Sequence, residues 1–133
     1  MTLSTEDRLD TLDLLARADD AASARDPRAY VALFSDDAVL DGAEGEHRGK
    51  EALLQAVGPI WAAEGAATLH LTLNAVIKPV AGRPEEATAT STLVIVTTAS
   101  PPAIRTVTRI VQHLVKVEGQ WRISRRSVAG GQS

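Results

Sequence analysis

The first part of the chain places its apolar residues with the period of an α-helix. Over about residues 5–24, the residues that share this spacing and predict one buried stripe are Leu9, Leu12, Leu15, Ala16 and Ala22. Ser4 and Asp7 resemble a capping box, because the Ser4 hydroxyl can accept from an unpaired amide of the first turn. The pattern therefore predicts a long amphipathic helix at the start of the chain.

Two further helices are predicted before the pattern changes. Asp26 and Pro27 form a helix start, with Asp as N-cap and Pro at the first helical position. We expect this short helix to carry residues 30–34 and a short strand to follow at 38–41. A third helix is expected over about residues 50–63, bent or split at Gly58-Pro59 because Pro removes an amide and crowds the preceding turn.

From Thr68 onward the apolar residues alternate with a period of two. Segments 68–80, 86–99, 103–118 and about 121–128 are rich in Val, Ile and Thr and are predicted strands. Short connections containing Gly or Pro join them, and a tight hairpin is expected at Glu118-Gly119-Gln120. Short turns between consecutive strands require antiparallel pairing. Helices followed by an antiparallel sheet predict an α+β fold.

Long strands also predict the shape of the interior. Strands of this length twist and curl, so three helices laid on such a sheet enclose a cone. Aromatic residues are only 3% of the chain, which leaves few large side chains to fill that space. We therefore expect a cavity, and cavities are where small molecules usually bind.

Composition supports one domain over residues 1–133. Apolar residues make up 44% and charged residues 23%, the balance of a globular protein. No apolar run approaches the roughly 18 residues of a membrane span. No leader precedes the first helix and cysteine is absent, so we expect a cytoplasmic protein without membrane association.

Charge is distributed unevenly, but it does not favour nucleic-acid binding. Residues 1–46 carry a balance of −8, and residues 47–133 carry +5. A basic half could neutralise phosphates. The few aromatic residues do not form a base-stacking group, however, and basic residues commonly solvate one face of a sheet. We expect no nucleic-acid partner.

Four short motifs and their order along the chain indicate a resemblance to a known family. These are Tyr30-Val31-Ala32-Leu33-Phe34-Ser35-Asp36-Asp37-Ala38, Arg48-Gly49-Lys50-Glu51-Ala52, His70-Leu71-Thr72-Leu73-Asn74 and Gly119-Gln120-Trp121-Arg122-Ile123. Over nearly its whole length the chain resembles the SnoaL-like branch of the nuclear transport factor 2-like superfamily. The resemblance implies a cone-shaped α+β barrel that commonly dimerises through its outer sheet face. The superfamily includes dehydratases, isomerases, epoxide hydrolases, polyketide cyclases and non-catalytic members, so the fold leaves the function open.

His70 is the first candidate for a catalytic role. Alternation places His70, Thr72 and Asn74 on one face of the predicted strand. Imidazole exchanges protons near neutral pH, and the amide of Asn74 could hold a ligand oxygen. In related dehydratases the histidine at the matching position is the general acid/base. The alternative is a half-exposed face on which these residues are ordinary polar side chains.

Asp19 is the second catalytic candidate. It lies four residues after Leu15, on the apolar stripe, where a carboxylate must be paired or reach a cavity. It could orient His70 or act as a base; alternatively, it reaches water or an arginine. Related dehydratases place a tyrosine and an aspartate on this helix, whereas this chain has Ala21 and Ala22 at those positions.

Other residues are candidates for ligand contact. Tyr30 could donate a hydroxyl hydrogen bond or belong to the core, and Trp61 could line the core or the cavity wall. Arg109 and His113 share one strand face with valines, which suggests a partly buried polar spot or a sheet-face ion pair. His47 lies in a glycine-rich stretch and is expected to be solvated.

Metal and cofactor sites are not predicted. The three histidines are isolated, and no glycine-rich phosphate loop or nucleophile elbow is present. We therefore expect a homodimeric pocket protein for a small apolar ligand with polar groups. Its reaction would be a cofactor-free dehydration, isomerisation, cyclisation or epoxide opening, with His70 and Asp19 as catalytic residues. The alternative is a non-catalytic ligand-binding or dimerisation module.

Overall fold

A computed structural model describes residues 2–42, 44–65 and 67–128. Its elements, in chain order, are α1 (Thr5–Ser23), α2 (Pro27–Val31), β1 (Phe34–Gly42), β2 (Gly45–Arg48), α3 (Lys50–Ala63), β3 (Thr68–Val80), β4 (Arg83–Thr97), β5 (Ala103–Val117) and β6 (Gln120–Val128). Among the described helices, none is both long and apolar enough to cross a membrane. The predicted order of helices first and sheet second is confirmed.

Helix α1 begins where the cap predicts, but its buried stripe is rotated from the predicted one. The Asp7 amide donates to the Ser4 hydroxyl at 3.0 Å. Leu9 and Leu12 are 63% and 43% exposed, so their predicted burial is wrong. The side chains that face the sheet are Thr11, Leu14, Leu15, Ala18, Ala21 and Ala22. Most of them are small, which limits how far α1 fills the interior.

The other two helices each differ from the prediction in one respect. Helix α2 is capped by Asp26, whose carboxylate accepts from the Ala29 amide at 3.1 Å, but it ends at Val31. Phe34 therefore begins β1 and does not belong to the helix. Helix α3 runs unbroken through Pro59, so the predicted split is wrong. Burial of Leu53, Val57 and Trp61 stabilises the helix on both sides of that proline.

The sheet contains six strands in the order β2-β1-β6-β5-β4-β3. The four predicted strands form the antiparallel part, and the Glu118-Gly119 hairpin joins β5 to β6 with both turn residues at positive φ. Strand β1 is longer than expected and pairs with β6 in parallel, while β2 pairs with β1 in antiparallel fashion. The sheet is thus mixed and open, with β2 and β3 at its edges, rather than a closed barrel.

The core lies between the helices and the concave face of the sheet. Its largest fully buried apolar side chains are Phe34, Leu53, Ile110, Leu114 and Ile123. Tyr30 packs against Phe34 with ring centroids 5.0 Å apart and against Trp61 at 5.3 Å, the latter edge to face. These three rings fix α2 and α3 over β1.

An ion pair fixes the start of α1 to the far end of the sheet. The Asp7 carboxylate accepts from Lys116 Nζ of β5 at 3.1 Å and from the buried Trp121 indole of β6 at 3.0 Å. The Trp121 and Lys116 hydrogen bonds together lower the pKa of Asp7. This contact orients α1 along the concave face.

Replacing Asp7 with alanine leaves the buried Trp121 N–H without its acceptor. We expect Asp7→Ala to lower the free energy of unfolding by about 1–3 kcal/mol, measured by urea denaturation. The control is Asp13→Ala, since Asp13 forms only an exposed pair with Arg17 and should cost less than about 0.5 kcal/mol. Equal losses from the two variants would contradict the anchoring role of Asp7.

Candidate functional site

A cavity of about 320 Å³ lies between the helices and the concave face of the sheet. Most of its wall is apolar and includes Val57, Ile60 and Trp61 of α3 and Leu93 and Ile95 of β4. The polar side chains that reach it include Tyr30, His47, Glu64, His70 and Arg126. An apolar cavity of this volume with few polar groups is typical of a site for a small molecule.

His70 and Glu64 form a buried pair in the cavity wall. Strand β3 turns the His70 side chain inward, and Glu64 directly follows the last residue of α3. His70 Nε2 lies 2.8 Å from Glu64 Oε1, with the two side chains only 6% and 12% exposed. The Ser23 hydroxyl at the end of α1 accepts from the His70 amide at 2.9 Å. Ser23 therefore fixes the backbone of β3 at His70, and Glu64 fixes the orientation of the imidazole ring.

Glu64 is stabilised as a carboxylate. Its Oε1 also accepts from Arg25 Nη1 and from the Thr68 hydroxyl, each at 3.2 Å. Burial raises the pKa of Glu64, but the His70 and Arg25 contacts outweigh it, and the net pKa is lowered. An ionised carboxylate only accepts hydrogen bonds.

The charge of Glu64 determines the tautomer of His70. Nε2 must carry the proton that Glu64 accepts, so the lone pair of the neutral imidazole is on Nδ1. No side chain in the described part of the chain bonds to Nδ1. This arrangement is that of a histidine base oriented by a carboxylate.

Tyr30 and Trp61, both predicted ligand contacts, line the cavity. Burial is the main cause that raises the pKa of Tyr30, so its phenol remains a neutral hydrogen-bond donor at neutral pH. Trp61 supplies flat apolar wall beside it. Their contact with a ligand stays a prediction.

Asp19 is partly buried but does not lie in the cavity wall. Glu64, and not Asp19, makes the hydrogen bond to the His70 ring. Burial raises the pKa of Asp19, and Thr72, Arg126 and His70 offset only part of that effect. Asp19 therefore lies near the histidine as a destabilised charge rather than as its orienting partner.

Asn74 is exposed and does not line the cavity, so its predicted role in holding a ligand oxygen there is wrong. The pairing of β3 with β4 shifts between Leu73 and Val76, which marks a bulge. Asn74 sits in that bulge with φ of 56° and is exposed. Because a bulge adds one residue, the inward positions change from even to odd, as the buried Ile77 shows.

Arg109 and His113 do not reach the cavity either. The inward residues of β5 are the even ones, Thr108, Ile110, Gln112 and Leu114. Both basic residues are exposed on the convex face, and their predicted ligand contacts are wrong. Strict alternation placed them correctly on one face, but it does not tell which face points inward.

Three cavity residues escaped the sequence prediction. Glu64 meets His70 only through the turn between α3 and β3, which periodicity does not describe. Trp121 and Ile123 point inward, so strict alternation predicts that Arg125 does too. A bulge at Ser124 adds one residue to β6, and Arg126 points inward instead. His47 lies on β2, where its Nε2 is buried against the cavity and not solvated.

Within the described ranges, no group of three or more His, Asp or Glu side chains is arranged to hold a metal ion. Of the two prior catalytic candidates, His70 alone faces the cavity.

The raised pKa of Asp19 makes a prediction about stability. The folded chain binds this proton more tightly than the unfolded chain, so ionising Asp19 destabilises the fold as the pH rises above 3.8. We expect the stability of Asp19→Asn, relative to the original protein, to increase between pH 4 and pH 7.5 in urea denaturation.

The matched control is Asp20→Asn, which removes a charge from the exposed side of the same helix. Between pH 4 and pH 7.5, the stability of Asp20→Asn relative to the original protein should change less than that of Asp19→Asn. A relative stability of Asp19→Asn that falls with rising pH would contradict the burial of an unfavourable charge.

Solved structures share this fold. A cystatin-like protein of unknown function from Nostoc punctiforme is 27% identical, with a TM-score of 0.82 over 96% of this chain and 93% of its own. Aln2 from a Streptomyces species is 17% identical, with a TM-score of 0.87 over 99% and 96% of the two chains. A candidate scytalone dehydratase from Novosphingobium aromaticivorans is 22% identical, with a TM-score of 0.75 over 92% and 82%. The last two show the fold alone.

Sequence comparison places the chain in a family. No curated protein matches it significantly. The SnoaL-like domain family, however, matches residues 4–127, which is nearly the whole chain. The resemblance drawn from the four motifs is confirmed, as is the cystatin-like, nuclear transport factor 2-like fold class. The chain belongs to the family of SnoaL-like domains.

Proposed function

We propose that this domain binds a small, largely apolar carbonyl or hydroxyl compound and catalyses a cofactor-free proton transfer on it. The single observation that carries the proposal is the 2.8 Å contact between His70 and Glu64 in the wall of an apolar cavity. The reaction it supports best is a dehydration or a double-bond isomerisation. The structural relative from Novosphingobium aromaticivorans carries the name of a candidate dehydratase, which agrees with the first of these.

His70 is the catalytic residue in this proposal. Its Nδ1 takes a proton from the carbon next to the ligand carbonyl, and the electron pair of that C–H bond forms a new double bond. In a dehydration the bond to a β-hydroxyl breaks, and His70 returns the proton so that the hydroxyl leaves as water. In an isomerisation the proton returns to another carbon. Glu64 is a positioning residue that stabilises the imidazolium formed between the two steps.

Tyr30 supplies the second function that such a reaction needs. Its neutral phenol donates a hydrogen bond to the ligand carbonyl, where negative charge develops as the C–H bond breaks. The apolar wall around it strengthens that hydrogen bond by excluding water.

The test is a screen of β-hydroxy ketones and β,γ-unsaturated ketones, followed by the ultraviolet absorbance of the conjugated enone. His70→Gln should lower kcat/KM by about 10²–10⁴-fold, the usual contribution of a general acid/base. His113→Gln is the matched control, because His113 is exposed on the convex face and should leave the rate unchanged.

Circular dichroism should confirm that both variants fold. Turnover that survives His70→Gln would overturn the catalytic proposal. Ligands that bind in a His70-dependent way without turnover would instead favour a non-catalytic binding domain.

A second function is favoured by the convex face of the sheet. The exposed apolar residues there, called the outer patch, are Leu69, Leu71, Leu73, Val76, Ile104, Val107 and Val111. Register makes the patch continuous, since Leu71 pairs with Val94 and Val94 with Val107 across three strands. We propose that this patch joins two copies of the chain, because exposed apolar areas of this kind mark interaction surfaces.

Light scattering tests the dimer. The original protein should have twice the 14.1 kDa mass of one chain, and Leu71→Glu should reduce it to one chain by burying a charge at the interface. Gln55→Glu adds the same charge on the exposed side of α3 and should leave the dimer intact. A monomeric original protein would contradict the proposal.

A further inference from the structure

Arg126 is a buried cation without a nearby counter-ion. It is 5% exposed, lines the cavity, and donates from Nη1 to Gln112 Oε1 at 3.3 Å. In the described part of the chain no carboxylate lies within 4.0 Å of its guanidinium, in contrast to Arg25 and Arg125, which both have acidic partners. Because arginine stays protonated in proteins, its charge must be balanced in some other way.

The acidic groups of this region do not supply that balance. Glu44 also borders the cavity, but it is exposed and forms no ion pair with Arg126 among the described residues. Glu64 is shared between Arg25 and His70. Asp19 acts on Arg126 only at longer range, and burial raises the pKa of Asp19. A buried charge without a partner is unfavourable, and a bound anion would offset that cost.

A second unpaired polar group faces the same part of the cavity. The register of β2, β1, β6 and β5 aligns His47, Leu40, Arg126 and Gln112 in one row across the concave face. His47 Nε2 is buried and has no hydrogen-bond partner among the described residues. With strands about 4.8 Å apart, His47 and Arg126 stand about 10 Å apart at their backbones, so both long side chains can reach one ligand group between them.

We propose that the ligand of this cavity carries a carboxylate, which Arg126 binds with its guanidinium and His47 contacts from the neighbouring strand. The planar fork of arginine matches the two oxygens of a carboxylate. The hydrocarbon part of the ligand packs on Trp61, Leu93 and Ile95, with the reacting carbon toward His70. The inference rests on the proposed function of the same cavity and adds the class of its ligand.

The cavity volume limits the size of that ligand. About 320 Å³ equals the liquid volume of roughly ten water molecules, at about 30 Å³ each. A carboxylate on one ring or a short chain fits this space. 3-Phenylpropanoate and its amide, 3-phenylpropanamide, have nearly the same shape and differ in charge, so they form a matched pair of probes.

Calorimetric titration of both probes tests the proposal. The original protein should bind the carboxylate about 10–100-fold more tightly than the amide, the range expected of a charge-assisted hydrogen bond. Arg126→Gln should remove this preference, and Arg126→Lys should retain part of it. Arg109→Gln is the control, because Arg109 is exposed on the convex face and its loss should not change the ratio.

The ratio of the affinities for the acid and the amide can be measured on the original protein alone. The test therefore remains valid if Arg126→Gln does not fold. Equal binding of acid and amide overturns the proposal, as does binding of neither across a series of phenylalkanoates and their amides. A preference that survives Arg126→Gln also overturns it. His70→Gln should retain the preference while it lowers the rate of turnover, so a failure of this proposal is distinguishable from a failure of the proposed chemistry.

Discussion

The hollow under the helices depends on the small volume of the side chains that cover the sheet. Helix α1 turns Ala18, Ala21 and Ala22 toward the concave face, and Ala22 borders the cavity. The aromatic side chains of α2 and α3 fill one side only. A larger residue at Ala22 would occupy part of the cavity that His70 and Arg126 also border. The capacity to bind is thus a packing property, set by what the helices leave unfilled.

In so apolar a cavity, a polar group that lacks a hydrogen-bond or charge partner is energetically costly. The pair of His70 and Glu64 is stabilised on both sides, since Arg25 and Thr68 hold the carboxylate while Ser23 holds the strand. Arg126 and Asp19 lack comparable partners, and electrostatic forces between them act through a medium of low dielectric constant. Glu64 and His70 therefore hold each other in place, whereas no carboxylate lies within 4.0 Å of the Arg126 guanidinium in the described part of the chain.

Hydrophobic periodicity, turn residues and helix caps predicted much of the fold, but they predicted the candidate site only in part. Alternation and turn residues located β3 to β6, and the caps at Ser4 and Asp26 located two helix starts, because these signals are local. The bulges at Asn74 and Ser124 reverse the inward face within a strand, and nothing in the residue types announced them. His70 lies before its bulge and was placed correctly; Asn74 and Arg126 lie within or beyond theirs. The contact between Glu64 and His70 depends on how the turn between α3 and β3 runs in space, and hydrophobic periodicity in one sequence does not predict that path.

The parallel pairing of β1 with β6 has a consequence for how the chain reaches this fold. These strands come from opposite ends of the sequence, so the antiparallel hairpins of β3 to β6 can assemble early while β1 waits for its neighbour. Non-local pairing of this kind slows folding, because the chain loses the entropy of a long loop before the strand contact stabilises the structure. During synthesis, β1 and β2 emerge from the ribosome well before β6, so the edge of β1 that pairs with β6 stays unpaired until β6 has been made. The side of the cavity that β1 and β6 form is therefore completed only after β6 has been synthesised.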